Sequence, residues 1–362
     1  MNDVSRERAV GFISLSFVAA FLLTAGLSGY FGETTPRSEA TPVKELNLSS
    51  LSWGLATSSV PFAPRDAHAV AEYKGRLWLI GGLNGEPARV RKGYIEYWRA
   101  QHMSDIWVSS DAKNWALSTA HAPWGGERSL ELETFQGALW LFGGWSPVGG
   151  YHTYYWKTND GLAWEKVHTT TAPSAREGAP VVAFHDKLWM FGGVNFDDRK
   201  SLNDVWSSVD GIAWEKATST IPWSPRYDHA VTAFQGKLWL TGGVNLEGKI
   251  FEDTWVSSDG VTWERITTNN SVATARHGHT MLVWKDALWM FGGWTKPETG
   301  EGESWFSKDG STWTKTSVGP WQQREDLTVT IFRDQPVLIG GMDTDWHWNN
   351  DVWIGDIDGE DQ

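Results

Sequence analysis

Along residues 51–362 the apolar positions come in short alternating bursts that return in a fixed order. An apolar run closes on a Gly-Gly pair at 81–82, 143–144, 192–193, 242–243, 292–293 and 340–341. Tryptophans eight positions apart follow the first five of these, at 107/115, 156/164, 206/214, 255/263 and 305/313. The period is about 50 residues, repeated six times. Period-2 alternation, β-branched and aromatic enrichment, and Gly/Asp/Asn punctuation predict strands. Each unit reads as four of them, as in "HAVTAF" (strand a), "GKLWLTGG" (b), "DTWVSS" (c) and "TWERIT" (d). The Asp-Gly between c and d, as in "SSDGVTW", predicts a tight hairpin with positive φ at both turn positions. Its tryptophans are placed to pack between units. Small residues in strand a (Ala67, Ala69, Ala71, Gly178, Ala179 and Ala183) suit strands that crowd around a central axis.

The sixth unit reaches Trp353 and the chain stops at Gln362, before a fourth strand can form. The missing strand is at the other end. Trp53 precedes Arg65 by 12 positions, within the 11 to 13 that separate the other strand-d tryptophans from the next arginine. The N-terminal strand is therefore expected to complete the last blade and remove its open edge. The expected fold is all-β, a six-bladed β-propeller. With its apolar-then-Gly-Gly signature, Asp-x-Trp at strand c and Trp on strand d, the domain resembles the kelch-repeat propellers of the galactose-oxidase central-domain type. The turn is also similar to the Asp-box of sialidases. That motif carries one more residue between Asp and Gly, so shared turn chemistry accounts for the likeness.

Composition narrows the function. The chain is 41% hydrophobic and holds 26 Trp, enough for a large core. It has no Cys, which excludes disulfides, thiolate metal sites and the Cys–Tyr cofactor that the resemblance to the copper oxidases would require. A net charge of −13 speaks against nucleic-acid partners and a polybasic membrane surface. Residues 9–31 carry no charge and follow Arg6 and Arg8, so 1–31 reads as a signal peptide or N-terminal membrane anchor. Residues 32–50 read as a flexible linker and 51–362 as the propeller. Arginine in front of the apolar segment places the propeller outside the cytoplasm: periplasmic, secreted or anchored. Any membrane contact runs through that segment alone.

Strand direction alternates, so the d–a and b–c loops share one face and the short a–b and c–d turns share the other. The first face is where the units differ. It carries the long first b–c loop, "LNGEPARVRKGYIEYWRAQHM", and non-repeat aromatics: Trp98, Trp124, Trp145, Trp223, Trp294, Trp321, Trp346, Trp348, Tyr94, Tyr97 and Tyr151. An arginine stands 15 or 16 positions before each Gly-Gly: Arg65, Arg128, Arg176, Arg226, Arg276 and Arg324. These six, with Tyr227, Trp145 and Trp294, are the candidate ligand-binding residues, since converging guanidinium groups bind carboxylates. The other reading pairs each arginine with an adjacent carboxylate, drawn from Asp66, Glu127, Glu177, Asp228, Glu325 and Asp326. Repeated His68, His229 and His279 read as packing residues. Asp105, Asp204, Asp253, Glu303 and Asp351 read as backbone caps rather than metal ligands. His102, His152, His277 and His347 are not repeat-wide.

Two functions fit. One is a binding propeller for a protein, peptide or glycan, with no cofactor and no metal. The other is a cofactor-free sugar mutarotase or epimerase of the sialic-acid type, a chemistry found among kelch-like propellers. Asp66, Glu177, Asp228 and His277 are its acid–base candidates. No acid, base and nucleophile set stands apart from the repeat, which favours binding.

Overall fold

In the computed structural model, residues 46–57, 59–91, 94–217, 221–295 and 300–357 are described. The apolar segment 9–31 and most of the linker lie outside them. No helix of the described residues is long and apolar enough to cross a membrane. Leu46–Gln362 forms one compact unit. It is built from six antiparallel blade sheets, five of four strands and one, blade 2, with a short fifth strand, Gly150–Tyr151, paired beside the second.

Blade 4 shows the plan. Ala230–Phe234, Lys237–Thr241, Thr254–Ser257 and Glu264–Ile266 pair in that order from inside to outside. Blades 1, 2, 3 and 5 repeat it over residues 69–119, 128–167, 181–216 and 276–315. Blade 6 takes Thr328–Phe332, Gln335–Ile339 and Val352–Ile357 from the C-terminal end and Leu51–Thr57 from the N-terminal end. Leu51 pairs with Ile357 and Trp53 with Gly355, so the ring closes as the tryptophan register predicts.

The core lies between blades. Phe184, Trp189 and Phe191 of blade 3 pack with Val231, Leu238, Leu240 and Trp263 of blade 4. Each buried tryptophan removes roughly 150–250 Å² from water, a gross gain of about 4–6 kcal/mol at 25 cal/mol per Å². The Gly-Gly pairs make close contact possible. Gly242 and Gly243 have φ of +64° and +93°, and a Cβ on Gly242 would lie 2.3 Å from the Arg276 carbonyl oxygen. The Gly243 N–H donates to that same carbonyl at 2.8 Å, and Gly341 does so to Arg65 across the closure at 3.0 Å.

The c–d connection differs from the predicted two-residue turn. In "SSDGVTW" only Gly260 has positive φ, at +76°. Asp259 Oδ1 instead accepts from the Val261 and Thr262 N–H groups at 2.8 and 2.7 Å, and Ser257 Oγ accepts from Gly260 at 2.8 Å. An aspartate that caps its own loop supplies the chain reversal, so the wider connection needs one left-handed residue rather than two. That residue must be small, because a Cβ on Gly260 would lie 2.3 Å from the ring of Trp189 in the preceding blade. Gly161, Gly211 and Gly310 meet Trp78, Trp140 and Trp239 in the same way. Blade 1 has Ala112 there, and its neighbour in blade 6 is Val337 rather than Trp; both belong to one core cluster. The larger turn residue faces the smaller partner.

Candidate functional site

Two successive positions of the repeat divide the work. The first holds Arg65, Arg176, Arg226, Arg276 and Arg324, each 16 residues before a glycine whose carbonyl it bonds. Arg226 donates from Nη1 and Nη2 to Asp253 at 2.6 and 3.0 Å, from Nη1 to the Gly242 carbonyl at 2.8 Å, and from Nε to the Ser224 carbonyl at 3.1 Å. The partners of Arg65, Arg176, Arg276 and Arg324 are Asp105, Asp204, Glu303 and Asp351. The same carboxylates accept from the strand-c indoles, as Asp253 does from Trp255 at 2.8 Å. The residues read as backbone caps are thus the second half of a buried strut between the start of strand a and the start of strand c. Adjacent carboxylates do not pair with these five arginines. Nor do the five converge on a ligand: they are 0–5% exposed and line no part of the central cavity.

Blade 2 breaks the pattern. Sixteen residues before Gly143 stands Glu127, and two before Trp156 stands Tyr154, so both halves of the strut are replaced. Buried Glu127 pairs instead with His152 Nε2 at 3.2 Å, and the His152 ring stacks on Tyr154. Arg128 belongs to the next position.

At that next position stand Asp66, Arg128, Glu177, Tyr227, His277 and Glu325, one per blade, and all six line a cavity of about 430 Å³. After them come Ala67, Ser129, Gly178, Asp228, Gly278 and Asp326, all left-handed, with φ between +47° and +61°. Left-handed backbone turns five of these N–H groups around the axis to the preceding blade. Ser129 donates to the Ala67 carbonyl at 2.7 Å, Asp228 to Gly178 at 3.1 Å, Gly278 to Asp228 at 2.9 Å, Asp326 to Gly278 at 2.8 Å and Ala67 to Asp326 at 3.1 Å. Gly178 and Gly278 are required, because a Cβ there would lie 2.4 and 2.7 Å from the Asp228 and Asp326 carboxyl oxygens. Ala67, Ser129, Asp228 and Asp326 line both this cavity and a second, axial one of about 250 Å³ beneath it.

Charge in the cavity is unbalanced: five carboxyl groups face one guanidinium. Arg128 donates from Nε and Nη2 to Glu177 at 2.9 and 3.2 Å and lies 4.7 and 4.8 Å from the ring centres of Tyr97 and Trp145. Its Nη1 has no hydrogen bond among the described residues. Tyr151 donates to Glu177 at 2.7 Å and accepts from the Phe196 N–H at 3.1 Å. Burial, then the Asp326 charge, raises the carboxyls of Asp66, Asp228 and Glu325 well above the ordinary range. Asp326 is pushed by burial to about 6, with Arg128 opposing the rise. In the axial cavity, burial raises Glu131 to about 8. Burial thus shifts Asp66, Asp228 and Glu325 toward the protonated form, in which a carboxyl group donates as well as accepts. Burial lowers His68 to about 3 and takes His229 and His279 well below their usual value, so the repeat-wide histidines are neutral packing groups.

Among the sequence-derived candidates, Asp66, Glu177, Asp228, His277, Arg128 and Tyr227 meet in the cavity. Trp145 packs on Arg128 from behind the lining, and Trp294 packs on Trp346 and His277. Trp124, Trp223 and Trp321 are interblade core rather than surface aromatics. His102 bonds the Ala100 carbonyl, and His347 sits beside Asp343. Sequence reasoning did not assign Glu325, Asp326, Tyr97 or Phe196 to the site. Among the described residues no group of three His, Asp or Glu is arranged to hold a metal.

Fold and cavity together define a six-bladed β-propeller with a polar central site. A family model for the DUF6242 beta propeller domain matches residues 158–275. The chain is similar to the solved structure of YjhT, with a TM-score of 0.65 and 16% identity over 84% of this chain and 100% of that one. No curated protein matches. At that identity the likeness carries the fold, and the site must argue the function.

Proposed function

We propose that the protein is a carbohydrate-binding propeller of kelch type, working outside the cytoplasm, and that its central cavity holds a neutral sugar. The observation that carries this is the convergence of six side chains of four chemical kinds, Asp66, Arg128, Glu177, Tyr227, His277 and Glu325, from one position of an otherwise uniform repeat. A cavity of about 430 Å³ falls in the range of roughly 300–1,000 Å³ usual for small-molecule sites. Carboxyl, phenol and imidazole groups match the hydroxyls of a sugar as donors and acceptors. One guanidinium, two-thirds occupied by Glu177, is a poor receptor for an acidic peptide. The extracytoplasmic setting rests on the uncharged segment 9–31 behind Arg6 and Arg8. Saturation-transfer NMR against neutral sugars, amino sugars and sugar acids tests the reading. Binding of a neutral sugar that Arg128→Gln and Glu325→Gln weaken supports it; a preference for acidic peptides sinks it.

One observation favours a second reading. His277 Nδ1 lies 3.5 Å from Glu325 Oε2, with Tyr227 in the same cavity. A base held by a carboxyl group, with a protonated acid nearby, is the minimum for opening and closing a sugar ring. Faster anomer exchange with wild type, lost in Glu325→Gln, would show mutarotase activity.

A further inference from the structure

The aromatic residues are almost all hidden. Among the described residues, Tyr97, Trp98 and Phe196 are the only Phe, Tyr or Trp among the exposed large hydrophobics, at 39%, 63% and 42%. Two of the three, Tyr97 and Phe196, line the central cavity, and Trp98 follows Tyr97 within the short 3-10 turn Tyr97–Arg99. Exposed valines and leucines elsewhere are ordinary for a soluble surface. Two exposed rings lining one polar cavity, with a third next to one of them in the chain, are not.

The two cavity-lining rings are also held in place. Phe196 is fixed by its N–H bond to Tyr151 and by an edge contact with Tyr227, ring centres 5.6 Å apart. Tyr97 rests on Arg128, which Glu177 and Tyr151 hold in turn. One chain of contacts therefore runs from the charged wall of the cavity to both aromatic edges of its mouth. A rigid aromatic surface beside a hydroxyl-matching cavity suits the apolar C–H face of a second sugar ring. The acidic surroundings, five carboxyl groups and a net charge of −13, disfavour an anionic polymer on the same path.

We infer that the natural ligand is the end of a neutral glycan chain: its terminal unit occupies the cavity and the adjoining unit stacks on Tyr97, Trp98 and Phe196. This rests on the cavity being a sugar site, and the test separates the two claims. Neutral monosaccharides and the matching di- and trisaccharides are titrated calorimetrically into wild type and Trp98→Ala, an exposed position whose loss leaves the core intact. The expected result is that wild type binds the longer probe about ten-fold more tightly than its terminal monosaccharide. That factor corresponds to about 1.4 kcal/mol of stacking. In Trp98→Ala the gap closes while monosaccharide affinity holds. Equal affinity for all lengths in wild type, or a gap that survives Trp98→Ala, overturns the inference and leaves the sugar site standing. Failure of every probe, with wild type and variant both folded by circular dichroism, overturns both.

Discussion

Arg226 and Tyr227 are neighbours in the chain, yet their positions in the repeat play opposite parts. At the first position five blades carry the same buried arginine with the same kind of partner. At the second, every blade but two differs in residue type, and all six side chains reach the cavity. The carboxyl groups show the consequence. Arg226 and Trp255 outweigh burial and hold Asp253 below the ordinary carboxylate range. Burial beside other carboxyls pushes Asp66 and Glu325 well above it. The first set contributes stability, whereas the second is held at its expense, the usual mark of a functional site.

The comparison breaks first if the scaffold side is dispensable. Deleting residues 1–57 strips Val352–Ile357 of its partner and takes buried Leu51 out of the core, so the expected result is a chain without a cooperative melt. A chain starting at Leu46 should melt as the full chain does. Arg226→Ala comes next. It leaves Asp253 without its counter-charge and the Gly242 carbonyl without the Arg226 donor, a loss of about 3–5 kcal/mol and a fall in melting temperature on the order of 10 °C. Tyr227→Phe, one residue on, should change it by a degree or two at most.

Gly260→Ala is expected to cost about 1–3 kcal/mol through overpacking against Trp189. Adding Trp189→Val should recover part of that loss, reproducing the Ala112 and Val337 arrangement between blades 6 and 1. Additive effects in that double-mutant cycle would show that the two positions do not touch.

The smallest expected effect is on pH dependence. Strut carboxylates sit below their unfolded values, so their contribution is complete above about pH 4 and is lost as pH falls further. Asp326 at about 6, Glu133 at about 7 and Glu131 at about 8 keep protons that the unfolded chain releases near pH 4, so stability declines as pH rises toward 8. Thermal stability should therefore peak near pH 4–5. Glu131→Gln should flatten the decline between pH 5 and 8, and an unchanged slope would remove Glu131 from the account.

The ring was legible because its rules are local and repeated: Trp spacing, Gly-Gly and the Trp53 register each recur at fixed intervals. The site was harder because it is defined by departures of a single residue. Allowing 15 or 16 positions between Arg and Gly-Gly merged Arg128 with the struts, whereas a strict 16 gives Glu127 and sets Arg128 apart. Blade 2 also lacks the acid two before Trp156, and that paired loss was a readable sign that the arginines and those acids are partners. Glu325 and Asp326 could not be assigned from sequence, since their role depends on a left-handed ring that turns successive residues toward one axis.

The central claim is that the first position holds the propeller together and the second is kept for a ligand against stability. Two glutamates test it without any ligand: Glu303, paired with Arg276, and Glu325, facing the cavity. Melting curves of Glu303→Gln, Glu325→Gln and wild type at pH 8 are the direct measurement. Glu303→Gln should melt several degrees below wild type, and Glu325→Gln, freed of the cost of burying a carboxyl group beside other carboxyls, should melt above it. Destabilisation of both to the same degree would make the cavity ring another part of the scaffold and contradict the account.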